Sequence, residues 1–152
     1  MQTTIGIDPG GKTGIAFYQN GKIEYLITYP PAKTLQLISE AADRENLLVI
    51  FEDSRKQPIF SRGTNARAAG RIARNVGMID GQCRDIEDMC GRLNIPVIGV
   101  SPKRKGKKLT SKQFNELTGW TEKSNQHERD AGTVAWPYRY LARPALWRQF
   151  LS

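Results

Sequence analysis

The stretch of residues 5–18, IGIDPGGKTGIAFY, decides the fold, because two short apolar runs flank a turn that opens with an acid. Asp8 ends the first run and stands directly before Pro9, Gly10 and Gly11, a sequence typical of a turn between strands. Asp is itself a common turn residue, so Asp8 alone has an ordinary structural explanation. The alternative is that the first strand holds this carboxylate at the edge of a sheet, where it takes part in chemistry.

The remaining elements predict a mixed sheet covered by helices. The predicted strands are residues 4–8, 13–18, 22–28, 47–51 and 95–100, with Asn20-Gly21 as a hairpin turn. The predicted helices are residues 34–44, 64–92 and 111–117, and a last one that begins at Ser124 or Asn125 and is kinked or ended by Pro137. Since a helix between two strands implies a parallel crossover, the order β-β-β-α-β-α-β-α-α predicts an α/β sandwich around a mixed five-stranded sheet. We expect one domain spanning residues 1–152.

Positive charge is concentrated in two blocks that contain no acid. The net charge is +8, from 23 basic and 15 acidic residues, which favours a polyanionic partner and nucleic acid first. The first block, residues 54–79, carries Arg55, Lys56, Arg62, Arg67, Arg71 and Arg74. The second block, residues 101–113, carries Lys103, Arg104, Lys105, Lys107, Lys108 and Lys112. A single charged run is often only a solvated surface, but two such blocks in a small protein favour phosphate binding.

Length and composition exclude several classes of protein. At 152 residues the chain is long enough for one core and too short for two domains. No segment has the pattern of a signal peptide or a membrane span, so we expect a cytoplasmic protein without a membrane partner. Cys83 and Cys90 are seven residues apart on a predicted helix, which indicates buried thiols. A zinc site needs more ligands nearby than the single histidine, His127, supplies.

Four side chains suited to metal or proton chemistry fall at predicted element ends. Asp8 and Glu52 end the first and fourth strands, so their carboxylates meet at one sheet edge if these strands are parallel neighbours. His127 and Asp130 are three residues apart on one face of the last helix. Divalent cations relieve the repulsion among close carboxylates. Two Mg²⁺ ions about 4 Å apart can orient a water and stabilise the leaving 3′ oxygen of a phosphodiester.

Each of these four residues also has an ordinary explanation. Asp8 can serve the turn, and Glu52 can pair with Arg55 at the surface. Asp130 can be an acid in the first turn of a helix, and His127 can be a solvated neighbour of the helix cap. The joint pattern favours a metal site, because one edge of the sheet collects all four.

Three segments together resemble the motifs of a known family. GIDPGGKTGIAF, VIFEDS with Glu52, and HERDAGTVA near the C-terminus are similar to the motifs of the RuvC family of Holliday junction resolvases, which has the RNase H-like (retroviral integrase) fold. The resemblance covers nearly the whole chain in order. It implies a crossover junction endodeoxyribonuclease that resolves four-way junctions by paired, metal-dependent phosphodiester hydrolysis. Its implied catalytic and metal-binding residues are Asp8, Glu52, His127 and Asp130, with two Mg²⁺ or Mn²⁺ ions in each site.

His127 departs from the pattern of that family, which commonly has Asp at this position. Imidazole is a softer ligand than carboxylate and suits Mn²⁺ better than Mg²⁺. The alternative is that His127 acts as a general base. Asp53 and Glu128 are the nearby acids that could substitute, but strand alternation points Asp53 to the face opposite Glu52.

The resemblance also implies a homodimer that binds branched DNA, because a two-fold protein matches a two-fold junction. The first basic block would enter the junction, where Phe60 is either a wedge that stacks on an unpaired base or a core contact that anchors the loop. The second block would grip the phosphates of a duplex arm. The predicted DNA contacts are Arg55, Lys56, Phe60, Arg62, Arg67, Lys103, Arg104, Lys105, Lys107 and Lys108.

Three other functions fit parts of the pattern. A YqgF-like nuclease of the same fold would act on RNA, but such proteins usually open with Asp-x-Gly-Thr and this chain has DPGG. A sugar kinase or Hsp70-type ATPase needs two such domains, which 152 residues do not supply. A non-catalytic protein that binds branched DNA would not need Asp8, Glu52 and Asp130 to be intact.

Overall fold

The computed structural model describes residues 1–56 and 66–144, without the side chains of residues 66–68, 143 and 144. The strands are β1 (Gln2–Asp8), β2 (Thr13–Gln19), β3 (Lys22–Tyr29), β4 (Asn46–Glu52), β5 (Val97–Val100) and β6 (Arg143–Pro144). The helices are α1 (Pro31–Ala41), α2 (Ala66–Arg92), α3 (Pro102–Lys105), α4 (Ser111–Thr118) and α5 (Gln126–Ala135). Of the predicted DNA contacts, Phe60, Arg62 and the side chain of Arg67 lie outside the described residues.

The five main strands form a mixed sheet in the order β3-β2-β1-β4-β5, which confirms the predicted architecture. The β1–β2 and β2–β3 pairs are antiparallel hairpins, while β4 is parallel to both β1 and β5. The short β6 pairs antiparallel with Asn46 and Leu47 at the start of β4, before β5 begins opposite Val49. This sixth strand was not predicted, because two residues carry no periodic pattern.

Alternating side chains divide the core into two layers, one on each face of the sheet. Ile5, Ile7, Val49 and Phe51 point to the face covered by α1 and α2, where they pack with Cys83. The neighbouring positions point to the opposite face and pack against α5 through Ala16, Tyr18, Leu48, Ile50, Ala131, Val134 and Ala135. This period of two is what an apolar strand shows when both faces of its sheet are covered.

Two glycines allow α5 to lie directly on the sheet. A Cβ atom at Gly14 of β2 would overlap the backbone carbonyl of His127, and one at Gly6 of β1 would overlap that of Ala131. The hydroxyl of Tyr18 donates a hydrogen bond to the carbonyl of Gly132 at 2.7 Å, which fixes the helix along the strands. The first turns of α5 therefore stand over the carboxyl end of β1.

The main differences from the predicted helices are at α1 and in the segment after β5. Helix α1 begins at Pro31 rather than Thr34, because proline is favoured in the first helical turn, and it ends at Ala41 rather than Arg44. The predicted basic loop after β5 contains the short helix α3, whose N-cap is Ser101. Residues 102–105 are PKRK, and their positive charge favoured the prediction of a loop. Ser101 was therefore not recognised as a helix cap.

Helix α2 carries both cysteines and four glycines. Cys83 and Cys90 are buried thiols in the layer under the sheet, as predicted. Gly77 and Gly81 do not break the helix, and a Cβ at either position would point into open space among the described residues. Among the described residues, no helix is long and apolar enough to cross a membrane.

Candidate active site

Asp8 and Glu52 meet at the carboxyl edge of the sheet because β1 and β4 are parallel neighbours that end at the same level. Burial, together with the nearby carboxylates of Glu52 and Asp130, raises the pKa of Asp8 to about 8, although Lys105 opposes the shift. A hydrogen bond between the Asp8 and Glu52 carboxyl groups, which requires a proton on one of them, also contributes to the raised pKa of Asp8. This edge therefore concentrates negative charge in a poorly solvated place, which is costly for stability and typical of functional sites.

Helix α5 adds the other two predicted residues. Asn125 caps the helix and forms a reciprocal capping box with Glu128, which fixes where the first turn begins. From that turn the His127 ring places Nδ1 at 3.4 Å from Asp8 Oδ2, with the side chain 48% exposed. Asp130 is one turn further along and is buried. The structure thus brings together all four predicted residues from three separate elements.

Lys105 is the residue of the site that sequence reasoning assigned to another role. Its Nζ lies 3.3 Å from Glu52 Oε2 and 3.5 Å from Asp130 Oδ1, and its side chain is only 5% exposed. Val100, the last residue of β5, pairs with Glu52, so the segment after β5 passes beside the carboxylates. The sequence feature that could have revealed this role was a lysine shortly after β5, the strand that pairs with β4.

The other basic residues of the second block stay at the surface. Lys103, Arg104 and Lys107 are exposed on α3 and the turn after it. Lys108 is 71% exposed, and its Nζ approaches Asp130 Oδ2 at 4.0 Å. The exposed ammonium group of Lys108 therefore lies beside the carboxylates, where a phosphate group can reach it.

Arg55 and Lys56 from the first block are engaged with the protein itself. The guanidinium of Arg55 donates to both carboxylate oxygens of Asp53 at 2.8 Å and to Glu87 at 3.0 Å. Lys56 donates to the carbonyl of Gly99 at 2.6 Å. Asp53 is buried on the side away from Glu52, as strand alternation predicted, so Glu52 pairs with Lys105 and not with Arg55.

A second layer of hydrogen bonds orients Asp130. Gln126 Nε2 donates to Asp130 Oδ1 at 2.9 Å, and the Oε1 of the same amide accepts from Arg129 at 3.2 Å. Arg129 also donates to the carbonyls of Leu109 and Ser124. The end of the second basic block is therefore tied to the helix that carries Asp130.

The four predicted residues and Lys105 line one open cleft. The turn after β1 forms one wall, where the carbonyl of Gly10 accepts hydrogen bonds from Thr13 and from Gln82 of α2, each at 3.0 Å. The remaining lining residues are Pro9, Gly11, Lys12, Ser54, Ile79, Pro102 and Lys108. Glu128, the alternative acid, is used by the helix cap and by a hydrogen bond from Thr28.

The donor set is chemically suited to a hard divalent cation. Carboxylate oxygens are preferred by Mg²⁺ and Mn²⁺, and an imidazole beside them is compatible with Mn²⁺. The ammonium group between Glu52 and Asp130 shows that a cation fits there. Within residues 1–56 and 66–144, no three His, Cys, Asp or Glu side chains are arranged so that they could hold a metal ion as they stand. Loading the site therefore requires side chains to move.

Comparison with solved structures shows the same fold in a protein with little sequence similarity. The structure of T. thermophilus RuvC in complex with Holliday junction substrate matches with a TM-score of 0.58 and 18% identity. The match covers 95% of this chain and 99% of that chain. No protein-family model matches the chain, and no curated protein does so either. The chain thus has the RNase H-like fold, with a mixed five-stranded sheet flanked by helices.

Proposed function

We propose that this chain is a metal-dependent endonuclease that resolves four-way DNA junctions by paired nicks. The observation that carries the proposal is the convergence of Asp8, Glu52, His127 and Asp130 in one cleft. The fold is that of a RuvC bound to Holliday junction substrate, which supports the same class of activity here. The net charge of +8 supports a nucleic-acid substrate.

In this proposal the three carboxylates of the cleft are the metal ligands. Asp8, Glu52 and Asp130 would hold two Mg²⁺ or Mn²⁺ ions, and His127 would be the fourth ligand or the general base. When bound, the ions supply Lewis-acid stabilisation of the leaving oxygen and orient the attacking water. Gln126 donates a hydrogen bond to Asp130 and so fixes the orientation of this carboxylate at the cleft.

DNA would approach the cleft from the side of α3. Lys103, Arg104, Lys107 and Lys108 are exposed there and would contact backbone phosphates, which gives affinity without base specificity. Arg55 and Lys56 would have to leave their present partners to do the same, so we assign them a structural role.

A homodimer through α2 is part of the proposal. Along one stripe of this helix, Ile79, Cys83 and Ile86 pack under the sheet, whereas Ile72 on the same stripe is 39% exposed. The helix is basic near Arg71 and Arg74, and its second half carries Asp80, Asp85, Glu87 and Asp88. Antiparallel pairing of two copies would cover the exposed stripe and set opposite charges against each other.

The test is cleavage of a synthetic four-way junction beside matched linear duplex, single-stranded DNA and RNA–DNA hybrid, with Mg²⁺, Mn²⁺ or chelator. We expect paired, metal-dependent nicks in the junction alone. Asp8→Asn should abolish cleavage and retain junction binding, and Asp43→Asn, an exposed acid outside the cleft, is the matched control. Binding without cleavage under any metal would favour a non-catalytic protein, and cleavage confined to RNA would favour a YqgF-like nuclease.

The dimer has its own test in sedimentation. The wild-type protein should sediment as a dimer, and Ile72→Asp should sediment as a folded monomer, because a charge on the exposed stripe opposes pairing. A monomeric wild type would exclude the homodimer, and a dimeric Ile72→Asp would exclude this interface.

A further inference from the structure

The unusual feature of the cleft is an ammonium group inside the carboxylate cluster. We propose that Lys105 is an internal counter-cation which occupies part of the divalent-metal site, and that metal binding expels it into the cleft. The inference rests on the proposed metal site, and it assigns Lys105 a gating role beyond that proposal.

Burial distinguishes Lys105 from every other described basic residue of its block. Its side chain is 5% exposed, against 71% for Lys108, although both approach the same carboxylate. A lysine ammonium is strongly hydrated, so it leaves water only where opposite charge compensates it. Glu52 and Asp130 supply that compensation by direct contact. Asp8 is also close enough for the charge of Lys105 to lower its pKa.

Lys105 and a divalent ion compete for the same atoms. Nζ lies against Glu52 Oε2 and Asp130 Oδ1, the oxygens that would also hold a metal ion. A metal–oxygen bond is only about 2.1 Å long, so an ion on these oxygens would stand in close contact with the ammonium group. Two cations at such short range repel strongly in a poorly solvated site. One of them must therefore leave.

The local backbone allows Lys105 to be the one that leaves. Lys105 is the last residue of α3, a helix of four residues, and Gly106 follows with φ 88°, where a side chain would be strained. No described atom lies within 4 Å of where a Cβ at Gly106 would stand. The side chain of Lys105 itself lines the open cleft, so its ammonium group can swing outward into that space. It then joins Lys103, Lys107 and Lys108 on the surface that faces DNA.

The expected consequence is that metal loading and phosphate binding are coupled. Without metal, Lys105 neutralises the carboxylates and is hidden from DNA. With metal, the same positive charge becomes available beside the cleft. The site would then offer its full set of lysines to DNA only after the ions needed for cleavage are in place.

The direct test is the chemical accessibility of lysines in the wild-type protein. Acetylation by an N-hydroxysuccinimide ester, read by mass spectrometry with and without saturating Mn²⁺, should rise several-fold at Lys105. Lys103 and Lys108 are exposed in either state, so their acetylation should not change. If Mn²⁺ binds and acetylation of Lys105 stays constant or falls, the inference is wrong while the metal site stands.

Calorimetric titration of Mn²⁺ gives a second, independent readout. A lysine that fills the site about nine-tenths of the time weakens apparent metal affinity about tenfold, so Lys105→Met should bind Mn²⁺ about tenfold more tightly than wild type. Lys108→Met removes an equal charge near the same carboxylate and is the matched control, for which we expect a much smaller change. If both variants gain Mn²⁺ affinity equally, the effect comes from general electrostatics and the inference is wrong. A wild type that binds no Mn²⁺ would overturn the proposed metal site together with it.

Discussion

Gly14 of β2 lies directly beneath the backbone carbonyl of His127, so close that a Cβ atom at this glycine would overlap it. The same relationship joins Gly6 of β1 and Ala131. These contacts set the height of α5 above the sheet, and with it the positions of His127 and Asp130 relative to Asp8. The geometry of the candidate site therefore depends on the absence of side chains in the two strands.

We expect Gly14→Ala to push α5 away from the sheet. Overpacking of this kind typically lowers the free energy of unfolding by about 1–3 kcal/mol. Metal-dependent cleavage should fall more steeply than stability, because Asp130 moves away from Asp8 and Glu52. Urea unfolding and junction cleavage measure the two effects. Gly11→Ala is the control for stability, since no described atom lies within 4 Å of its Cβ position. Cleavage by Gly14→Ala at the wild-type rate would show that the height of α5 above the sheet does not control the activity of the site.

The stability of the metal-free protein should depend on the charge of Asp8. Its pKa in the folded protein is about 8 against an ordinary 3.8, so the folded state binds a proton that the unfolded state releases. Stability therefore falls as pH rises between these two values, at up to about 1 kcal/mol per pH unit. Asp8→Asn lacks this penalty, so its advantage over wild type should grow from about pH 5 to about pH 8.

The measurement is urea unfolding of both proteins in chelator at several pH values. Groups that titrate alike in the two proteins cancel in the difference. A stability difference that does not change with pH would show that Asp8 titrates normally. Adding Mn²⁺ should reduce the penalty in wild type, because a bound cation favours the ionised carboxylate.

Much of the site was predictable because parallel strands end at a common edge. The apolar runs before Asp8 and Glu52, together with the helix between them, were enough to bring these carboxylates together. The spacing of His127 and Asp130 placed both on one helix face, and the alternation along β4 correctly turned Asp53 away. These conclusions needed only the periods of strands and helices.

The sequence was least informative about charged side chains whose partners come from other elements. In the sequence Lys105 looks the same as Lys103 or Lys108. Of these three lysines, only Lys105 is buried in contact with both Glu52 and Asp130. Arg55 was predicted to meet DNA, yet Asp53 and Glu87 hold it. Which carboxylate a long side chain meets depends on the assembled fold, and local periodicity contains no such information.

Arg55 should prove to be a structural residue. Arg55→Gln leaves the buried Asp53 carboxylate without its bidentate partner, which we expect to lower the free energy of unfolding by about 2 kcal/mol. The double variant with Asp53→Asn should recover part of the loss, since no charge is then left buried. Chemical unfolding of the single and double variants measures the coupling. Loss of junction affinity with unchanged stability would instead return Arg55 to the DNA contacts.

The exposed lysines of the second block should govern the salt dependence of DNA binding. Replacing Lys103, Lys107 and Lys108 with Gln should weaken binding to junction and linear duplex alike. For each phosphate that a lysine no longer neutralises, the slope of log affinity against log salt should become shallower by about 0.9. Titration of labelled DNA at several salt concentrations measures the slope. Lys22→Gln, an exposed lysine at the opposite edge of the sheet, is the control. An unchanged slope in the triple variant would remove this surface from the DNA footprint.

His127 can be assigned as a metal ligand or as a general base by changing it to two different residues. Its Nδ1 lies 3.4 Å from Asp8 Oδ2, a position compatible with either role. Asp at this position keeps a metal ligand and replaces soft nitrogen with hard oxygen. If His127 is a ligand, His127→Asp should keep cleavage and shift the preference from Mn²⁺ towards Mg²⁺, while His127→Ala should weaken Mn²⁺ binding.

If His127 is instead the general base, His127→Ala should bind Mn²⁺ like the wild type. Its cleavage should fall by about 10²–10⁴-fold, the range that acid–base catalysis contributes. Calorimetric Mn²⁺ binding and cleavage rates in each metal separate the two roles, because only a ligand changes affinity in the absence of DNA. Wild-type binding and wild-type cleavage by His127→Ala would exclude both roles and leave the three carboxylates as the complete site.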